Sequence, residues 1–200
     1  MPRSARSACA APDKLMVVAH PDDEALFGGQ ELLRTPGWLV LCMTHGDNPQ
    51  RRQHFAQALE LAAAHGVQWA YPDRPGRSRQ PEAARADWTP YLPQMRTRLL
   101  ALYRRHTFSK VVTHGQAGEY GHEHHRMVHQ LVTRTLPTSE IRCFCVGEPI
   151  EPSLLERKLV LLAVYKEQIT HREREKYAQW VYCAATRAYT LQTGTDDEPS

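Results

Sequence analysis

Short apolar runs alternate with helical patterns from residue 15 onward, and that alternation leaves the chain few folds to choose from. Leu15–Val18, Trp38–Met43, Val67–Tyr71, Val111-Val112 and Ile141–Val146 read as buried strands. Helical stretches lie between them: Asp23 to Arg34, an alanine-rich Gln50 to His65 closed by Gly66 at the C′ position, Pro90 to Arg105, and His122 to Leu136 ahead of Pro137. Leu154 to Trp180 reads as one long helix or a pair broken near Thr170. Strands separated by helices need crossover connections, which make their neighbours parallel. The expected fold class is α/β, a three-layer Rossmann-like domain with a mostly parallel sheet flanked by helices.

A chain of 200 residues can bury a core without staples. We expect one domain over 14–192, with a disordered extension at 1–13 and a disordered tail at 193–200. Net charge is only +3, which argues against a nucleic-acid partner. No apolar run is long enough for a membrane span, and the five cysteines contain no C-x-x-C pair, so a reducing, cytoplasmic setting is expected. The 11 histidines are a more telling excess, because imidazole is the commonest metal ligand.

The polar residues cluster where the strands end. Leu15–Val18 runs straight into Ala19-His20-Pro21-Asp22-Asp23-Glu24. Val111-Val112 is followed by His114 and then by Gly118-Glu119-Tyr120-Gly121-His122-Glu123-His124-His125. Ligands of open α/β sheets bind at the carboxyl ends of strands, so the clusters read as two halves of one metal site. A catalytic zinc takes three protein ligands and leaves one position for water. His20 and Asp23 are three apart and can both face one ion at a strand-to-helix turn. His122 and His125, also three apart, share a helix face; one of them completes the set and the other is left for substrate. Asp22 and Asp23 could equally cap a helix. His114, His124 and His129 carry no assigned role and read as structural or exposed.

Ala-His-Pro-Asp-Asp-Glu, paired with a distant Tyr-Gly-His-x-x-His, resembles the LmbE/PIG-L family of zinc-dependent N-deacetylases. Tyr165-Lys166-Glu167-Gln168 is similar to a weaker family signature, Tyr-x-Ser-Gln, with Glu167 in the serine position. The resemblance implies one Zn2+ per chain held by His20, Asp23 and His125, with Asp22 as general base for attack by the activated water. It implies that Tyr120 and His122 steady the tetrahedral intermediate, and that the substrate is an N-acetylglucosamine-type sugar or glycoconjugate. Family members often hold the sugar with an Arg and a Glu at the start of the second helix. Here that region reads Arg51-Arg52-Gln53-His54-Phe55, without the glutamate, and Arg52 is the candidate contact. Arg74 and Arg77, in the arginine-rich loop 73–79, could clamp an anionic aglycone by bidentate contacts.

Three rival readings remain at this point. A phosphoesterase would need a second metal and more carboxylates, which Glu24, Asp47 and Glu119 could supply in part. A glycan-binding, inactive relative would be expected to lack Asp22 or a ligand, and all are present. A dinucleotide-binding protein would carry G-x-G-x-x-G after the first strand, where His20-Pro21-Asp22 stands instead. Oligomerisation is left open.

Overall fold

The computed structural model describes residues 11–73, 87–137, 140–169 and 183–189. In chain order the elements are β1 Lys14–Val18, α1 Asp23–Leu26, α2 Gly29–Arg34, β2 Trp38–Thr44, α3 Pro49–Leu61 and β3 His65–Tyr71. After a short 3₁₀ turn at Thr89–Tyr91 come α4 Leu92–Tyr103, β4 Lys110–Thr113, α5 Gly118–Gly121, α6 Glu123–Thr135, β5 Ile141–Pro149, α7 Pro152–Val164 and β6 Cys183–Ala188. The six strands lie in the order β3-β2-β1-β4-β5-β6, parallel except for the antiparallel edge strand β6. The expected mostly parallel α/β sheet is present.

Strand alternation sorts the core onto two faces. Met16 and Val18 of β1, with Trp38 and Val40 of β2, pack against Phe55 and Leu59 of α3 and Leu161 and Leu162 of α7. Leu15, Val17, Leu39 and Leu41 point the other way, onto Met95 and Leu99 of α4 and Val128, Leu131 and Val132 of α6. Because β1 is buried on both faces, its sequence is continuously apolar rather than alternating. The result is three layers with β1 at the centre.

The structure departs from the sequence reading in four places. The first expected helix is two, α1 and α2, interrupted at Phe27-Gly28. A Cβ on Gly28 would stand 2.6 Å from the Met16 sulfur and 2.9 Å from the Glu24 carbonyl oxygen, so the chain turns where only hydrogen fits. The helix expected to run to His65 ends at Leu61, and Ala63 makes the left-handed turn at φ 51°. Gly66 is therefore no C′ cap; it lies in β3, and its missing side chain admits the Leu59 methyl. The third departure is β6, in a stretch that the periodicity left unassigned. Its Thr186 hydroxyl donates to Glu31 Oε1 at 2.8 Å, tying the edge strand to α2.

The fourth is the helix expected over Leu154–Trp180: α7 ends at Val164, and residues 165–169 are turns rather than helix. The expected extension at 1–13 and tail at 193–200 lie largely or wholly outside the described residues, as do residues 170–182. No helix among the described residues is long and apolar enough to cross a membrane.

Gly28→Ala separates helix propensity from packing. Propensity alone would make alanine stabilising by about 0.5–1 kcal/mol, whereas overpacking against Met16 and the Glu24 carbonyl costs about 1–3 kcal/mol. We expect a lower urea midpoint for the alanine variant; an equal or higher midpoint would contradict this account of the break.

Candidate active site

The sheet order puts β1 beside β4. Chain crossovers leave this strand pair in opposite directions, which opens a crevice at its carboxyl end. His20, Pro21, Asp22 and Asp23 follow β1 into that crevice; His114 follows β4, and α5 with the start of α6 brings in Glu119, Tyr120, His122, His124 and His125.

Each half is folded tightly on itself. Asp23 Oδ2 accepts a hydrogen bond from the His20 backbone N–H at 2.8 Å, which closes the turn. Asp22 occupies the N-cap position of α1 with φ 148°, a backbone conformation costly for a residue with a side chain. Its carboxylate makes no capping hydrogen bond. Its Oδ2 lies 3.6 Å from Arg51 Nη2, and its backbone N–H donates to Glu24 Oε2 at 3.0 Å. The plain cap reading of Asp22 therefore fails on geometry. Buried Glu24 is held in turn by the Tyr165 hydroxyl, which donates to Oε1 at 2.6 Å. The Tyr-Lys-Glu-Gln segment thus props up the last residue of the first motif.

The second half centres on Glu119, whose side chain is shut off from solvent and whose backbone sits at φ 55°. Its Oε1 accepts from the Gly115 N–H at 2.7 Å, and its Oε2 accepts from His114 Nδ1 at 2.8 Å and from His125 Nδ1 at 2.6 Å. The Ala19 N–H donates to His114 Nε2 at 3.1 Å, so that nitrogen accepts and Nδ1 carries the proton towards Glu119. His114 and His125 stack with centroids 3.9 Å apart. His125 Nε2 is buried, makes no hydrogen bond, and faces Asp23 Oδ1 at 3.4 Å.

Electrostatics follow the packing. Burial works against charge on His20, but the Asp23 and Asp73 carboxylates outweigh it and push its pKa up to about 9. Burial and the neighbouring Asp23 push Asp22 up to about 6. Burial opposes ionisation of Asp23 and Glu119 too, yet their imidazole neighbours win. Asp23 is held well below the usual carboxylate range, and Glu119 falls to about 2. Burial drives Glu24 the other way, up to about 8.

Six of the nine residues singled out from sequence come together. Ligand atoms of His20, Asp23 and His125 all lie within 4.8 Å of one another. The His122 ring stacks on His125 at 4.4 Å and meets the His20 ring edge-on at 4.7 Å. Tyr120, about half exposed, stands over His125 and His122 at the rim, and Asp22 flanks them. Arg52 lies apart, lining a groove between α3 and β3 with Gly46, Gln53 and Gln68. Its neighbour Arg51 is the residue that reaches the site, through Pro21 O at 2.8 Å and Asp22. Arg74 and Arg77 lie outside the described residues.

Sequence reasoning missed His114, Glu119, His124 and Asp73. His114 and Glu119 stood in or beside the quoted motif, and their position just after a strand was the available signal. Asp73 carried none beyond its place at the end of β3.

Comparison with known proteins identifies the family and the fold. Residues 15–136 match the PIG-L family, described as GlcNAc-PI de-N-acetylase. The uncharacterized protein L374 of Acanthamoeba polyphaga mimivirus is 32% identical over 172 residues, spanning 78% of this chain and 72% of the relative. Among solved structures, a deacetylase–bog complex from the biosynthesis pathway of teicoplanin superposes with a TM-score of 0.63, at 15% identity over 83% of this chain and 89% of that one. GalB, the 4-carboxy-2-hydroxymuconate hydratase of Pseudomonas putida KT2440, gives 0.60, also at 15% identity, over 92% of this chain and 98% of that one. At such identity the two structures speak for the fold alone.

Glu119→Gln should destabilise the metal-free protein by about 1–3 kcal/mol at neutral pH, because one amide cannot accept from Gly115 and both imidazoles. A carboxylate with a depressed folded-state pKa contributes fully above its unfolded value of about 4.3. That contribution is lost as pH falls through the folded value of about 2. The stability gap between the two proteins should therefore shrink between those limits. Urea denaturation in chelator at stepped pH measures it, and a gap that widens on acidification would refute the assignment.

Proposed function

The chain belongs to the PIG-L family, and from that premise we propose that it is a zinc-dependent N-deacetylase acting on an N-acetylglucosamine-type sugar or glycoconjugate. Family membership supports the coarser statement, a deacetylase-type hydrolase. The observation that carries the finer one is the convergence of His20, Asp23 and His125. The donor set fits a cation: two imidazoles and a carboxylate, with the buried His125 Nε2 left without a hydrogen bond and aimed at Asp23 Oδ1. His125 Nδ1 is fixed by Glu119, the outer carboxylate that orients a ligating histidine.

When bound there, zinc lowers the pKa of water towards about 7 and polarises the amide carbonyl. The chain's own residues do the rest. Asp22, turned away from capping and steadied by Arg51, takes the proton of the attacking water and can return it to the leaving amine. His122 in its protonated form and the Tyr120 hydroxyl donate to the oxygen that gains charge as the carbonyl becomes tetrahedral. Tyr120 stands exposed at the rim, where an acetamido sugar would enter. The crevice rather than the sheet surface then selects the substrate, with Arg51, held against Pro21 and Asp22, a cation within reach of its polar groups.

Asp22→Asn preserves shape and removes proton-accepting power. We expect folding and zinc content to be unchanged while kcat for acetate release falls by about 10²–10⁴. A zinc-loaded Asn variant at near wild-type rate would refute the mechanism. His125→Ala should lose the tightly held zinc and activity together, and His122→Ala should keep that zinc while losing rate. Metal analysis of the two variants exposes any exchange of their roles.

A further inference from the structure

On the far side of the His20 ring from Asp23, three donor atoms meet that the proposed hydrolysis does not use. His20 presents Nδ1 to Asp23 Oδ2 at 3.3 Å. Its other nitrogen, Nε2, lies 3.3 Å from His124 Nδ1 and 3.7 Å from Asp73 Oδ1, and the last two atoms are 3.5 Å apart. These separations are long for hydrogen bonds, whose N–H···O distance centres on about 2.9–3.0 Å. They match the edges of a coordination shell: ligands placed tetrahedrally about 2.0–2.1 Å from zinc stand about 3.3–3.4 Å from each other.

The triangle is supported from behind. His124 is fully buried and lies flat on the Trp88 ring, with centroids 4.1 Å apart and planes 8° from parallel. Trp88 Nε1 donates to the Pro72 carbonyl at 2.7 Å, which fixes the backbone just before Asp73. The second oxygen of Asp73, Oδ2, pairs with His45 Nε2 at 2.9 Å. Ligating groups are commonly oriented by such outer contacts. Asp73 keeps 22% of its side chain exposed, so an ion can reach the triangle from solvent.

We propose that His20 Nε2, His124 Nδ1 and Asp73 Oδ1 form a second, weaker site for a divalent transition metal. It rests on the deacetylase reading only in that His20 is shared. When both sites fill, the His20 ring proton leaves to solvent and each ring nitrogen gives its lone pair to a separate ion. Asp73, part-exposed and shared with His45, makes the second site the weaker one. Ions on opposite nitrogens of one imidazole stand further apart than the ~3.5–4 Å of two-metal phosphoester sites. The second ion is thus no partner in a phosphoesterase-type displacement.

The test is a Co2+ titration of the metal-free chain, followed by equilibrium dialysis with metal analysis and by the cobalt absorption bands. Wild type should bind two equivalents, the second more weakly. Asp73→Asn and His124→Phe, the latter keeping a ring on Trp88, should each bind one. His125→Ala should retain one equivalent, which is lost on adding Asp73→Asn. That double variant separates the two sites, so failure of one reading leaves the other visible. Asp73→Asn, at a part-exposed position, carries the test if His124→Phe does not fold. Saturation of wild type at one equivalent, or survival of the second in Asp73→Asn, overturns the proposal; Asp73 and His124 would then only orient His20.

Discussion

A single carboxylate, Glu119, binds the two halves of the crevice into one object. It accepts from Gly115 and from two imidazoles at once, and the imidazoles it holds meet the first motif: His114 through the Ala19 N–H, His125 opposite Asp23. Hydrogen bonds to a charged group are worth about 1.5–3 kcal/mol each. A left-handed, non-glycine backbone such as that of Glu119 costs about 1–3 kcal/mol. The contacts outweigh the strain, and the strained turn aims the side chain back under His125.

The sheet order explains why these residues meet at all. β1 and β4 are neighbours, yet the helices that follow them pack on opposite faces: α1 against the Met16 side, α6 against the Leu15 side. The two loops part as they leave the sheet, and polar side chains fill the gap between them. Buried charge is tolerable there because carboxylates and imidazoles alternate through the cluster. Stripped of its partners, any one of these groups would be an expensive resident of the protein interior.

Much of this could be read from the chain. β1, β2, β4 and β5 are short runs rich in apolar residues, and those runs between helical stretches place them. The clusters after β1 and β4 were legible because histidines and carboxylates crowd into a few positions. The remainder depended on contacts that periodicity does not encode. The break at Gly28 is set by Met16, a residue of another element. β6, Cys-Ala-Ala-Thr-Arg-Ala, has one β-branched residue in six and is a strand because β5 offers it an edge. Gly66 looked like a helix terminator because glycine serves both turns and close packing, and only the Leu59 contact tells which applies. Arg51 and Arg52 are adjacent and chemically alike; the pitch of α3 alone decides which one turns inward.

The hydrogen bond from Trp88 to Pro72 has a consequence for how such a chain can diversify. It joins the two shoulders of the connection between β3 and α4, and the same indole carries His124 on its face. With the shoulders fastened, lengthening or rewriting the stretch between them changes only a closed loop, whose closure entropy grows slowly with its length. Trp88, Asp73 and the His124 ring can thereby keep their places whatever length of chain joins residues 73 and 87.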